Sequence, residues 1–394
     1  MRNPGRLALL VPGGIALLAG LDAALVLLGL PAPVTTDRLP QVHGPLLVLG
    51  FVGTVIALER AVALRRRWGF LAPGLLGLGA LVVLTPAPVA VGQGLLVVGT
   101  SAQLAVYAAL WRRQESAALG LQALGAVLAC GGALLWWAGA PVPAALPWFV
   151  GFLVLTIAGE RLELARVGFL PASAERAIGA AGVAAFAAVV GTVLRPAAAT
   201  PLLGLALLAL VGLLLAHDVA RRTVRSAGLP RFAAWCLLAG YGWLIVAGGV
   251  WALLGPVTEG PAYDAAVHAV FLGFTLSMIM AHAPVILPAV LGVAVPYGPG
   301  LYGPAALLHA SLLLRVVGGD LRGEPWALAT GGALNVVAVL LFVALVVRAA
   351  VRARRPLAGR RVGDGQTPFQ HGDASAGEAF ADDVVPVPAS EARS

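Results

Sequence analysis

The sequence predicts an all-α, polytopic integral membrane protein. It has about 12 transmembrane helices, expected as three four-helix units in a pseudo-threefold arrangement. Three observations predict this. The 394-residue chain is 60% hydrophobic and only 11% charged, whereas a soluble domain is about one quarter charged. Its apolar runs repeatedly reach the ~20 residues that cross a bilayer. A Gly-Phe…Glu-Arg pattern recurs four runs apart.

The runs lie at about 7–30, 41–64, 69–87, 89–111, 117–139, 145–166, 175–194, 201–220, 231–255, 262–288, 300–318 and 326–349. The first is long for a signal-peptide core and no clear cleavage site ends it, so it reads as a retained span. Turn formers separate the runs: Pro31 and Pro33, Pro86 and Pro88, Pro141 and Pro143, Pro256 and Pro261, Pro296 and Pro299. Span ten has Asp264 near its start and carries His268 and His282, fourteen residues apart. That separation is roughly 21 Å along a helix and close to four turns, so both imidazoles share one side. Pro284 lies within the same span and is expected to break it. Beyond Pro356 the apolar stripe ends. Residues 356–394, with His371, read as a disordered cytoplasmic tail following a transmembrane domain of residues 1–355.

The formal net charge is +8, and all 26 basic residues are arginines. Their placement argues against nucleic acid as a partner and for the lipid bilayer. Arg65, Arg66 and Arg67 follow span two; Arg112 and Arg113 follow span four; Arg161 and Arg166 close span six. Arg221, Arg222 and Arg225 follow span eight, and Arg348, Arg352, Arg354 and Arg355 follow span twelve. The connections after spans three, five and nine have none. This alternation predicts a multi-pass protein of a bacterial-type inner membrane with both termini cytoplasmic. Arg38, Arg195 and Arg322 depart from the pattern, as does the connection after span ten, which has no basic residue.

Span two reads GFVGTVIALERAVALR from Gly50, and span six reads GFLVLTIAGERLELAR from Gly151. At a constant offset of 101, seven of sixteen positions are identical, including Glu59/Glu160 and Arg60/Arg161. In span ten, Gly273-Phe274 is followed by Ile279 at the same spacing, and His282 falls where the glutamates stand. Three units at about 1–112, 113–222 and 223–355 account for this most simply.

Ionisable residues inside spans are costly and face the protein interior or a cofactor. Glu59, Arg60, Glu160, Arg161 and His282 form one expected charge cluster, with Glu163 nearby. It reads either as ion pairs pinning three helices or as a proton or ion site. Because the opposite charges sit on adjacent positions, pairing between helices is expected rather than within one. At the opposite ends of spans two and ten lie His43 and His268. They read either as interfacial histidines or as a facing pair able to hold one haem. Their register differs: His43 stands eight residues before Phe51, and His268 six before Phe274. Span eleven carries His309, expected as a core polar contact, and Arg315, which needs an acid, a carbonyl or an anionic ligand. His217 and Asp218 read as interfacial. Cys130 and Cys236 read as buried hydrophobes without ligand spacing. Gly248-Gly249 reads as a close helix-packing site. No Walker, HExxH, GxSxG or dinucleotide motif occurs in a suitable context, and no catalytic residue is singled out.

The span plan resembles the haem–copper oxidase catalytic-subunit fold. It resembles more closely the NnrS family of membrane proteins associated with haem, copper and nitric-oxide stress. The resemblance rests on His43 with its following Gly-Phe helix, the His268–His282 helix, and Leu-Leu-Arg-Val ending at Arg315 and Val316. It implies His43 and His268 as haem ligands and Arg315 as a propionate partner. In the oxidase fold copper is held by histidines from spans six and seven. Neither span has one here, so an oxygen-reducing haem–copper centre is not expected. The resemblance thus implies a haem-binding membrane protein of nitric-oxide or metal stress. Two other readings compete with it: an ion-coupled secondary transporter, for which twelve spans and internal repeats also serve, and a non-catalytic membrane scaffold subunit.

Overall fold

A computed structural model describes residues 4–167 and 170–353. The expected tail, 356–394, lies outside the described residues. Those residues are helical, with no strand among them. Among the described residues, eleven helices are long and apolar enough to cross a bilayer, so the protein is an all-α, multi-pass membrane protein. They are α1 (Pro4–Leu27), α2 (Arg38–Leu64), α4 (Val89–Trp111), α5 (Ala117–Trp137), α6 (Val142–Val167), α7 (Ala172–Leu194), α8 (Pro196–His217), α9 (Gly228–Leu254), α10 (Gly260–Leu291), α11 (Pro299–Leu321) and α12 (Pro325–Ala353). Between α2 and α4 stands a shorter apolar helix, α3 (Arg67–Val83). The expected run 69–87 therefore yields a helix shorter than the other eleven. Its apolar stretch stops at Val83 because a Thr-Pro-Ala-Pro turn follows. Arg38 donates to the carbonyls of Val83, Thr85 and Ala87 at that end, which gives this off-pattern arginine a structural task.

The helices pack in sequence, with α2, α6 and α10 innermost. These three touch one another in every pairing. α6 is the most buried of the long helices: 72% of its apolar window is buried, against at most 56% in any other. Around them, α4 meets α5, α8 meets α9, and α12 returns to α1. Small residues permit the closest approaches. A Cβ on Gly204 of α8 would lie 2.4 Å from the Ala252 nitrogen and 2.6 Å from the Gly248 oxygen of α9. The expected packing role of Gly248 is thus met.

Three helices widen locally into π-helix: Leu46–Gly53 in α2, Ala269–Leu276 in α10 and Leu314–Leu321 in α11. The first two carry Leu-Gly-Phe at the same place in the segment, Leu49-Gly50-Phe51 and Leu272-Gly273-Phe274. Short π turns inside α-helices concentrate at functional sites, and these lie one to three residues beyond His43 and His268. Contrary to expectation, Pro284 does not break α10, whose last α-helical segment runs Ser277–Leu291 through both Pro284 and Pro288. Packing on neighbouring helices supports such prolines in membrane spans.

Candidate functional site

Two polar layers lie at opposite ends of α2 and α10. At the His43 end, His43 of α2 donates from Nδ1 to the Gly20 carbonyl of α1 at 2.8 Å. His268 of α10 donates from Nδ1 to the Asp264 carbonyl, one turn back, at 2.8 Å. A carbonyl only accepts, so each ring carries a proton on Nδ1, and Nε2 is the nitrogen placed to offer a lone pair. Neither Nε2 has a hydrogen-bond partner among the described residues, and the two rings lie within electrostatic reach of each other. Anchoring one ring nitrogen to fix the other is how histidine ligands are oriented.

Arg315 stands beside them. Its Nε and Nη2 donate to the two oxygens of Asp264 at 2.8 and 2.7 Å. The Asp264 carboxylate also lies 3.2 Å from His268 Nδ1. The acid that Arg315 requires is therefore Asp264, which sequence reading placed only at the start of span ten. Two glycines of α12 let Arg315 approach: a Cβ on Gly331 would lie 2.7 Å from the Arg315 backbone nitrogen and 2.8 Å from its Cβ, and one on Gly332 2.4 Å from Leu28 Cδ1 and 2.9 Å from the guanidinium Nη1. The π-helix of α11 pairs residues five apart. It thereby brings Asp320 towards Arg315 and Asp264, and the Asp320 Oδ2 is buried without a partner among the described residues. Inward from the histidines, α1, α2, α10 and α12 enclose a cavity of about 40 Å³ lined by Leu17, Leu47, Phe51, Phe271, Thr275 and Val339, among others.

The haem expectation can be tested on these features. The donors fit: two anchored imidazoles, each with a free Nε2, on adjacent helices. The enclosed space is far smaller than the ~300–1,000 Å³ of ordinary cofactor sites. A porphyrin would have to part the apolar side chains of α2 and α10. Among the described residues, no group of three or more metal-ligating side chains occurs.

In mid-bundle, His309 of α11 accepts from Trp243 Nε1 at 3.0 Å. Its Nε2 faces Ser277 Oγ at 3.2 Å, and Ser277 donates onward to the Gly273 carbonyl at 2.6 Å. Both ring nitrogens are used, which makes His309 the core polar contact expected.

At the Glu59 end, the charge cluster assembles but pairs differently from expectation. Arg60 binds its own neighbour, Glu59, at 2.5 Å, and stands 3.9 Å from Glu160 of α6. A long arginine stem can fold back along its helix, so adjacency on the helix does not forbid the pair. Arg60 Nη1 also donates to Gln122 Oε1 of α5 at 3.1 Å. Arg161 turns away from Glu160. Its Nε and Nη2 grip Asp218 at 2.9 and 2.7 Å, and its Nη1 donates to His282 Nε2 at 3.3 Å. His282 in turn donates from Nδ1 to the Met278 carbonyl at 2.7 Å.

Asp218, expected at the interface, is instead buried, with a side chain 1% exposed. It sits just beyond α8, where α8, α9 and α6 converge, and accepts further bonds from Tyr241 at 2.5 Å and the Ala220 N–H at 2.8 Å. Burial works against its charge, yet Arg161, the Ala220 N–H and Tyr241 together hold its carboxyl below the ordinary range. The last turn of α10, ahead of a connection that lacks an arginine of its own, is met by one from elsewhere: Arg6 of α1 donates to the Val290 carbonyl at 3.0 Å.

A family model described as a domain of unknown function, DUF8744, matches residues 6–351. The chain belongs to this family. The DUF8744 match reaches from α1 to α12 and so includes both polar layers. No curated protein matches the chain. Sequence reading placed Asp264 at a helix start and Asp218 at the interface without seeing their pairings, and it missed Asp320, Gln103, Tyr107 and Gln122. The usable signal for the two glutamines and Asp320 was a polar side chain inside an apolar run.

Proposed function

We propose that this DUF8744 protein is an NnrS-like haem-binding protein of a bacterial-type inner membrane, acting in nitric-oxide or metal stress and lacking an oxidase-type copper site. The observation that carries the reading is the histidine pair. His43 and His268 stand on adjacent innermost helices, just ahead of matching Leu-Gly-Phe π segments, and each has Nδ1 tied to a backbone carbonyl. That leaves two Nε2 atoms of the type that binds haem iron. A haem there would supply a one-electron redox centre. The chain's own residues would bind it through the imidazoles and oppose its negative charge with the Arg315 Nη1 left outside the Asp264 pair.

The accompanying architecture is three four-helix units, α1–α4, α5–α8 and α9–α12, about a pseudo-threefold axis along the membrane normal. Supporting it are the mutual contacts of α2, α6 and α10 and the closing contacts α4–α5, α8–α9 and α12–α1. The arginine alternation supports cytoplasmic termini. A carrier reading is less well supported, because the repeat relates three units rather than the two halves typical of many carriers.

The test is the absorption spectrum of protein purified in detergent from haem-replete cells, with haem added where none co-purifies. A Soret band that is lost or shifted in His43→Ala and in His268→Ala is expected. A colourless protein that takes up no haem would sink the reading.

A further inference from the structure

The Glu59 end holds more polar groups than protein partners. Glu59 and Glu160 face each other from α2 and α6 across the single guanidinium of Arg60. The other nearby arginine, Arg161, is committed to Asp218. Two carboxylates thus share one positive charge, within a membrane helix bundle where a net charge is costly. Against the same spot stand side chains without partners among the described residues: Gln103 through both amide atoms, the Tyr107 hydroxyl, Gln122 Nε2 and Arg60 Nε. Gln103, Tyr107 and Gln122 are all 0% exposed. Tyr107 lies within electrostatic reach of Arg60, Glu160 and Glu59, and beside Gln103. Buried polar atoms are almost always satisfied by protein or by ordered water, so five orphans in one place mark a site that holds something.

We infer that Glu59 and Glu160 form a proton-binding carboxyl pair, hydrated by waters held on Gln103, Tyr107 and Gln122 and open to solvent at the Glu59 end. The carboxyl side chains keep 20% and 18% exposure, and Glu59 stands within two turns of the Leu64 end of α2, the end from which the proton enters in this scheme. One proton taken from solvent brings the pair and Arg60 from a net charge of −1 to neutrality, and no other bond is made or broken. Every charged or titratable group facing the site enters this count: Glu59 and Arg60 of α2, Tyr107 of α4, Glu160, Arg161 and Glu163 of α6, and His282 of α10. Glu163 is exposed and solvated. His282 accepts from Arg161 and so stays neutral. The arginine excludes a metal cation more effectively than a proton, because a proton needs no shell of oxygens around it. This site is separate from the histidine pair, and the inference does not depend on haem.

Infrared spectroscopy of the full-length protein in lipid or detergent at neutral pH tests it. A carbonyl band of a protonated carboxyl is expected. It should shift when the unaltered protein carries ¹³C-labelled glutamate, and disappear in Glu160→Gln or Glu59→Gln. The labelled parent needs no substitution, so a variant that fails to fold does not blunt the test. Absence of any glutamate-shifted band, or its survival in both variants, overturns the inference. So does its removal by sodium chloride but not choline chloride, which would make this a cation site.

Discussion

Replacing Asp218 with Ala should be among the most damaging single changes in the bundle. Its carboxylate accepts four hydrogen bonds, two from Arg161, one from Tyr241 and one from the Ala220 N–H. Truncation leaves the Arg161 guanidinium, whose side chain is 7% exposed, with His282 as its only remaining side-chain partner. Removing one member of a buried pair costs about 3–5 kcal/mol, because the other charge stays buried and uncompensated. At about 2 °C per kcal/mol for a chain of this size, the midpoint of thermal unfolding should fall by about 6–10 °C. Tryptophan fluorescence in detergent can follow it, since the chain has nine tryptophans. The double variant Arg161→Met/Asp218→Leu should lose much less than the two single changes added together. The pH dependence has a definite sign. The folded carboxyl lies below its ordinary value of 3.8. The stability it contributes is therefore complete above that pH and is lost as pH falls through the lower folded value. The gap between parent and variant should hold from neutral pH to about 4.5 and narrow only in stronger acid. A loss within about 0.5 kcal/mol of the parent, typical of a surface change, or full additivity in the double variant, would refute the reasoning.

Three further outcomes follow from the packing. Gly204→Leu should force α8 and α9 apart, since even a Cβ there meets the Ala252 nitrogen at 2.4 Å; a thermal midpoint within 1 °C of the parent, by the ~2 °C per kcal/mol scale, would contradict the close seam. Gly332→Leu should crowd both Leu28, whose Cδ1 would lie 2.4 Å from the added Cβ, and Arg315 Nη1 at 2.9 Å, so its cost should shrink without vanishing in an Arg315→Met background; equal losses in both backgrounds would count against the Arg315 contact. His309→Ala should leave Trp243 Nε1 unpaired and cost about 1–3 kcal/mol in unfolding assays, without changing any haem spectrum; loss of the Soret band would instead make His309 a ligand.

The run of apolar helices was legible in the sequence because hydropathy acts through the bilayer, which treats every helix alike. Span three ends earlier than expected, at Val83, because apolar length alone cannot see the turn at Thr85–Pro88 that closes α3. The histidine pair and the Glu-Arg motif were legible because ionisable groups are rare in spans. Their partners were not. Asp218 lies beyond the end of α8, a position that reads as solvated until α9 folds Tyr241 over it. Asp264 looks like an ordinary polar residue at a helix start until the π turn of α11 presents Arg315. Neither pairing has a spacing rule, since the partners are 57 and 51 residues apart.

Arg60 and Arg161 occupy equivalent places in the repeat, yet they end in different bonds, and that divergence has a consequence for Glu160. Arg60 folds back on Glu59 and Arg161 turns outward to Asp218, so Glu160 is left with only a distant share of Arg60 at 3.9 Å. If Asp218 is what draws Arg161 away, then Asp218→Asn should free the guanidinium to neutralise the adjoining Glu160. The side chain keeps its size and one acceptor oxygen, so the bundle should remain folded. The glutamate carboxyl band expected at neutral pH should then weaken or vanish, although no glutamate has been changed. An unaltered band in folded Asp218→Asn protein would show that Arg161 does not control the charge on Glu160, and that the two halves of the Glu59 layer act independently.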